Sequence, residues 1–248
     1  MQLVLILLAG FGAGFINALA GGGSFLTFPA LIAAGLPAID ANASSTIALF
    51  PAQVATTYAY RDGLKESLAD PRINGRLLAI ISLVGGLAGA LLLLATPESL
   101  FERSIPFLLG GATLVFAFGM VMPKDMEKQL LGPIGILVVQ VFVSIYGGYF
   151  GGGIGILMLA MLEMIHFEDI HAMNGLKTVL ATAINGAAVV TFILARQVEW
   201  PQAILMIVGA VAGGYYGAHY AQKLDPRWVR ATVIGVGAGM SVYFLWKY

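Results

Sequence analysis

A run of three glycines inside apolar sequence, followed about twenty residues later by Asn-x-x-x-Thr, occurs twice in this chain. Gly21-Gly22-Gly23 precedes Asn42-Ala43-Ser44-Ser45-Thr46, and Gly151-Gly152-Gly153 precedes Asn174-Gly175-Leu176-Lys177-Thr178. The two units lie about 130 residues apart in a chain of 248. A chain with this plan folds as two like halves. In a membrane, a helix broken by glycine at matching places in two halves marks a secondary transporter whose site lies where the halves meet.

Composition decides for the membrane. Hydrophobic residues make up 59% of the chain and charged residues 10%, against about 25% charged in an ordinary soluble domain. Folding alone cannot hide that much apolar surface from water. The formal net charge is zero, so nucleic acid is not an expected partner; the bilayer is. The chain has no cysteine, which excludes disulfides, thiolate metal sites and cysteine redox chemistry. Residues 1–20 resemble a signal-peptide core but lack a basic lead. They run through the glycines into more apolar sequence and are read as a retained membrane helix.

Hydropathy and breaks predict an all-α, polytopic fold of two repeats with about five helical segments each. In the first they lie near 2–20, 24–36, 41–60, 73–95 and 104–122; in the second near 131–149, 154–167, 170–195, 201–222 and 228–246. The repeats are thus 1–122 and 131–248, with a loop at 123–130. Residues 24–36 rise only about 20 Å as a helix, short of the ~30 Å hydrocarbon core. The second segment of each half is therefore a partial or re-entrant helix, and hydropathy counting would give eight spans rather than ten. Val84-Gly85 and Ala88-Gly89 match Val208-Gly209 and Ala212-Gly213, and Gly110-Gly111-Ala112 matches Gly237-Ala238-Gly239. Such small residues let helices approach closely. They would also allow homodimerisation.

Charge placement favours inverted over parallel repeats. With inversion, Arg61, Lys65, Arg72, Arg76, Lys124, Lys128, Lys223, Arg227 and Arg230 share one side and Arg103, Arg196 and Lys247 the other, 9 against 3 with Lys177 set aside. A parallel arrangement gives 8 against 4. The basic side is cytoplasmic by the positive-inside rule, so both termini are expected outside the cytoplasm.

Lys177 is the basic residue in the interior of a predicted span. An ammonium at that depth costs a few kcal/mol, so it needs a cavity, a carboxylate or an anion. It is either a strut paired with Glu163, Glu168 or Asp169, or an anion-recognition group. Asn42, Ser45 and Thr46 occupy the place that Asn174, Lys177 and Thr178 hold in the second half. Each Asn and Thr are four apart and share a helix face. They can serve as helix caps or as ligand donors at a helix N-terminus. Gly22, Gly23, Ser24, Gly152 and Gly153 open the short segments, where free N–H groups can face an anion; alternatively these glycines only permit bends. Asn17, Gln53, Thr56, Tyr146 and Asn185 extend polar lines that could border a pathway or bond neighbouring helices. His166 and His171 cluster with the acidic residues near 163–169, as a solvated loop or a proton relay. No metal spacing, cofactor motif, catalytic triad or Walker lysine is present, so neither an enzyme nor an ATP-driven pump is indicated.

Several of these positions carry a likeness to a known family. Gly12-x-Gly14-x-x-Asn17-x-x-x-Gly21-Gly22-Gly23, with Pro29, Gly35 and Ala41-Asn42-Ala43, resembles the sulfite exporter TauE/SafE family (TSUP). So do Tyr149-Phe150-Gly151-Gly152-Gly153 and Ala172-Met173-Asn174 in the second half, and the endings from Tyr58 to Gly63 and from Phe192 to Val198. The resemblance implies a prokaryotic inner-membrane exporter of sulfite or a related small inorganic or organosulfur anion, driven by an ion gradient; protons or the membrane potential are the expected drive. It points to Asn42, Ser45, Thr46, Asn174, Lys177 and Thr178 as the site, with the glycine runs as backbone donors. The expected mechanism is alternating access. The alternative is an uncoupled anion channel or a structural membrane subunit.

Overall fold

Apolar runs punctuated by glycine, proline and short polar breaks fold into eleven helices among the described residues. The computed structural model describes residues 2–19, 22–70, 73–121, 132–163, 170–220 and 226–247, and no strand occurs among them. The first half holds α1 (Gln2–Leu19), α2 (Ser24–Ala33), α3 (Ala38–Ala59), α4 (Arg61–Ala69), α5 (Gly75–Ala95) and α6 (Glu98–Val121). The second holds α7 (Pro133–Tyr149), α8 (Ile154–Glu163), α9 (Ile170–Leu194), α10 (Trp200–Tyr220) and α11 (Pro226–Lys247). The expected loop at 123–130 lies outside the described residues, as do His166, Glu168 and Asp169 and the side chains of Glu163 and His171.

The short second segments are short helices. At ten residues each, α2 and α8 rise about 15 Å, half of the hydrocarbon thickness. Helix α2 stops at Gly35, whose φ of +91° closes a Schellman turn in which Gly35 N donates to Ile32 O and Leu36 N to Leu31 O. The apolar outside of the bundle fits lipid: Leu114, Phe142 and Leu194 are 71%, 69% and 78% exposed.

One segment departs from the expected pattern. Arg61-Asp62-Gly63-Leu64-Lys65-Glu66 reads as a polar break, yet it begins the nine-residue helix α4. Its inner face docks on α9: Ser67 Oγ donates to Ala172 O at 2.5 Å, and a Cβ on Gly175 would lie 2.3 Å from Leu64 N. Its outer face carries Arg61, Asp62, Lys65 and Glu66, all exposed. That pattern belongs to an amphipathic helix packed on the bundle, which hydropathy alone scores as loop.

The two halves exchange partners. Helix α1 runs parallel to α10, with Gly10 against Met206 and Gly14 against Ala210. Helix α5 runs parallel to α7, with Ser82 bonded to Gln140 and Gly85 against Ser144. The matched glycines of the two halves thus face each other's first helices. Counterpart helices cross antiparallel: Gly110 of α6 meets Ser241 while Thr113 meets Gly237 of α11. Likewise Thr57 of α3 bonds Thr182 of α9 while Gln53 bonds Asn185.

The short helices are anchored by an aromatic cluster. Phe28 of α2 stands edge-on to Phe150, just before α8, at 5.6 Å and 80°, and to Phe101 of α6 at 6.5 Å and 72°. Such pairs add about 0.5–1.5 kcal/mol beyond burial. The start of α3 is held from a distance. Pro37 offers no side-chain cap, and the Glu98 carboxylate accepts from Ala38 N and, at 3.2 Å, from Ile39 N. A lost cap costs about 0.5–2 kcal/mol. Glu98→Ala is expected to lower the melting temperature by roughly 1–8 °C at 2–4 °C per kcal/mol, whereas Glu102→Ala, whose side chain makes no such bond among the described residues, leaves it in place.

Candidate functional site

Where α3 and α9 cross, the two glycine-opened short helices come in from the two halves. They line a cavity of about 80 Å³, enough for water or for one small anion. Its polar lining comes from Asn17 (α1), Gly22 and Ser24 at the start of α2, Gln53 and Thr56 (α3), Gly151, Gly153 and Gly155 at the start of α8, and Lys177, Thr178 and Asn185 (α9).

The glycines shape the starts of α2 and α8 differently. Gly151 and Gly153 adopt φ of +74° and +77°, the left-handed region in which a Cβ is strained. Gly23 instead has helical backbone, φ −56° and ψ −30°, and is small because a Cβ there would lie 2.6 Å from Ala13 O. The N–H groups of Gly153, Ile154 and Gly155 have no backbone acceptor among the described residues. The same holds for Ser24 N–H. Two helix N-termini thus bring donors and positive dipole ends to one cavity.

Lys177 supplies the charge. Its Nζ donates to Asn174 Oδ1 at 2.6 Å, and its stem lies along Gly155, with Cδ 3.6 Å from where a Cβ would sit. No carboxylate pairs with it among the described residues, and no other lining residue is charged. The contacts of Glu163, Glu168 and Asp169 that a strut would need lie outside the described side chains.

Across the cavity, Asn185 Nδ2 donates to Gln53 Oε1 at 2.7 Å, joining the halves. Asn185 Oδ1, buried beside Gly151, has no partner among the described residues. Nearby, Thr57 Oγ1 is 2.8 Å from Thr182 Oγ1 and 3.2 Å from Thr178 O, which ties α3 to α9 again. Asn185→Leu removes the bridge and leaves the Gln53 amide unpaired. The variant is expected to unfold more easily, by the roughly 1–3 kcal/mol that an unsatisfied buried amide costs, as measured by thermal melting of the purified protein.

The remaining residues singled out in the sequence sit beside the cavity. Asn42 Nδ2 donates to Tyr149 O at 3.2 Å and holds the end of α7. Ser45 Oγ is 2.5 Å from Thr27 Oγ1 and joins α3 to α2. Thr46 Oγ1 donates to Asn42 O at 2.9 Å, and Thr178 Oγ1 lies 2.9 Å from Asn174 O. Tyr146 OH lies 2.8 Å from Gly152 O and 3.2 Å from Leu108 O, so its one proton serves the turn before α8. Gly23 O accepts from Leu26 N and Thr27 N. The Asn-x-x-x-Thr of the first half therefore positions the second half's backbone, while that of the second half supplies the charged wall. Gly155 does not stand out in the sequence; the alternation Gly151-x-Gly153-x-Gly155 is the signal that marks it.

Comparison with known proteins gives the family. The family model "Sulfite exporter TauE/SafE" matches residues 6–244. The chain is 29% identical over 239 residues to the probable membrane transporter protein YfcA of Escherichia coli (strain K12), covering 94% of this chain and 86% of that protein. A probable membrane transporter protein of Haemophilus influenzae is 28% identical over 94% of this chain and 90% of its own length. The probable membrane transporter protein ORF9 of Sinorhizobium sp is 28% identical over 98% and 92%. No solved structure matches significantly. With helices that expose apolar side chains outward and a family match over nearly its whole length, the chain is a membrane transporter belonging to the sulfite exporter TauE/SafE family.

Proposed function

We propose that this transporter exports sulfite or a related small sulfur-containing anion, organosulfonates included, by alternating access. The observation that carries the reading is the convergence of Lys177 and two glycine-opened helix N-termini, one from each half, on one small cavity. Each element favours negative charge, and the cavity lining holds no carboxylate to oppose it. A pyramidal or tetrahedral oxyanion would accept from Lys177 Nζ and from the free N–H groups at the start of α8.

The antiparallel crossings of α3 with α9 and α6 with α11 support inverted repeats, which rock about a shared central site in such transporters. The charge distribution supports a prokaryotic inner-membrane orientation with both termini extracytoplasmic. Outward movement of one negative charge then gains about 2.3 kcal/mol per 100 mV of inside-negative potential, enough to drive efflux without a coupled ion.

The test is sulfite efflux from loaded proteoliposomes, with counterflow against labelled sulfite outside. Saturable flux with counterflow is the expected result. Flux that rises linearly with concentration would make the protein an uncoupled channel, and no flux above protein-free vesicles would remove sulfite from the reading.

A further inference from the structure

A second cavity lies on the other side of α9. It is an open groove of about 680 Å³ between α4, the first turn of α5, the start of α7 and α9. Leu64, Leu68, Ile73, Leu176 and Leu180 make its walls aliphatic, and Arg76 is the one charged residue of its lining among the described residues. Arg76 is exposed and makes no ion pair or hydrogen bond among the described residues. Asn74 caps α5 by accepting from Leu77 N at 3.1 Å. The N–H groups of Gly75 and Arg76 have no backbone acceptor among the described residues.

We propose that this groove binds one anionic phospholipid of the surrounding bilayer, with its headgroup phosphate at Arg76 and an acyl chain along Leu176 and Leu180. The chemistry at the two ends of the groove selects this occupant. A soluble phosphate gains nothing from aliphatic walls, and a zwitterionic lipid brings no net charge to the lone guanidinium. The bilayer also has a way in: Leu77, Ile80 and Ile134, which flank the groove, are exposed to 36%, 56% and 78%. They form an apolar path for the second chain. A basic side chain at the membrane surface recognises anionic lipid in this manner.

The groove and the central cavity share one wall. Leu176, Val179 and Leu180 face the groove, while Lys177, Thr178 and Ala181 face the cavity. A bound lipid thus braces the turns of α9 that carry the only charge in the cavity lining. Helix α4, clamped on α9 by Ser67 and at Gly175, closes the groove from one side.

The test is lipid retention by the purified full chain in native mass spectrometry, with melting temperature as a second readout. The probes are phosphatidylglycerol, phosphatidylcholine with the same chains, and glycerol phosphate without chains. Wild type is expected to retain one phosphatidylglycerol per chain with about fivefold preference over phosphatidylcholine, the factor set by one basic residue at an anionic surface. Arg76→Ala, a change at an exposed side chain, should abolish the preference; Ala79→Trp, inside the groove, should lose the retained lipid. Absence of preference in wild type, or full preference in Arg76→Ala, would overturn the proposal. Equal stabilisation by glycerol phosphate alone would replace the lipid by a free-phosphate site and overturn it too. None of these readouts depends on which anion the transporter carries.

Discussion

Lys177→Ala is expected to weaken half-saturation of sulfite efflux by roughly thirtyfold to several thousandfold. Truncating one member of a buried, hydrogen-bonded charge pair costs about 2–5 kcal/mol, and here the ammonium is the only charge in the cavity lining. The same variant is expected to melt no lower than wild type. Without anion, a membrane-buried ammonium costs a few kcal/mol, and its one described hydrogen bond, to Asn174 Oδ1, offsets only part of that. A strut predicts the reverse: intact flux and a lowered melting temperature, because a carboxylate would be left unpaired. Measuring both in one preparation therefore separates the two roles. Lys177→Arg keeps the charge but must fit a larger, planar head into the cavity beside Gly155, where an added Cβ would stand 3.6 Å from the lysine Cδ. Intermediate flux is expected from it.

Gly213→Val is expected to lower the melting temperature by roughly 2–12 °C and to impair transport. A Cβ at Gly213 would sit 1.8 Å from Phe11 O, and a backbone carbonyl cannot rotate aside as a side chain can. Helices α1 and α10 must separate instead. Overpacking of this kind costs about 1–3 kcal/mol, which converts at roughly 2–4 °C per kcal/mol. Transport suffers because α1 carries Asn17 and leads into Gly22, both on the cavity. Gly239→Ala supplies the control: nothing lies within 4 Å of its added methyl, so its melting temperature should hold. Equal behaviour of the two variants would show that close approach at Gly213 is not what the glycine provides.

Much of this arrangement is legible in the order of the residues. The ends of α5, expected at 73 and 95, fall at Gly75 and Ala95, because a polar break in an apolar run is a local signal. The shortness of α2 and α8 follows from the glycine runs on one side and the breaks on the other. Helix α4 is not legible by hydropathy. Its charges dominate the average, while the face that matters consists of Leu64, Ser67 and Leu68, spaced to meet α9.

The sequence by itself determined a membrane-embedded helical chain with a glycine motif written twice and one lysine inside an apolar helix, since apolar composition, glycine breaks and a buried charge have consequences that hold in any packing. Tertiary structure alone decided which polar groups share a cavity. Asn42 and Asn174 occupy equivalent places, yet one bonds Tyr149 O and the other bonds Lys177 Nζ. Gln53 and Asn185, 132 residues apart, meet directly. The physical reason is that a helix face is fixed by local spacing, but what it faces depends on how the helices cross, and that is settled by close contacts such as Gly14 on Ala210 and Gly148 on Gly86.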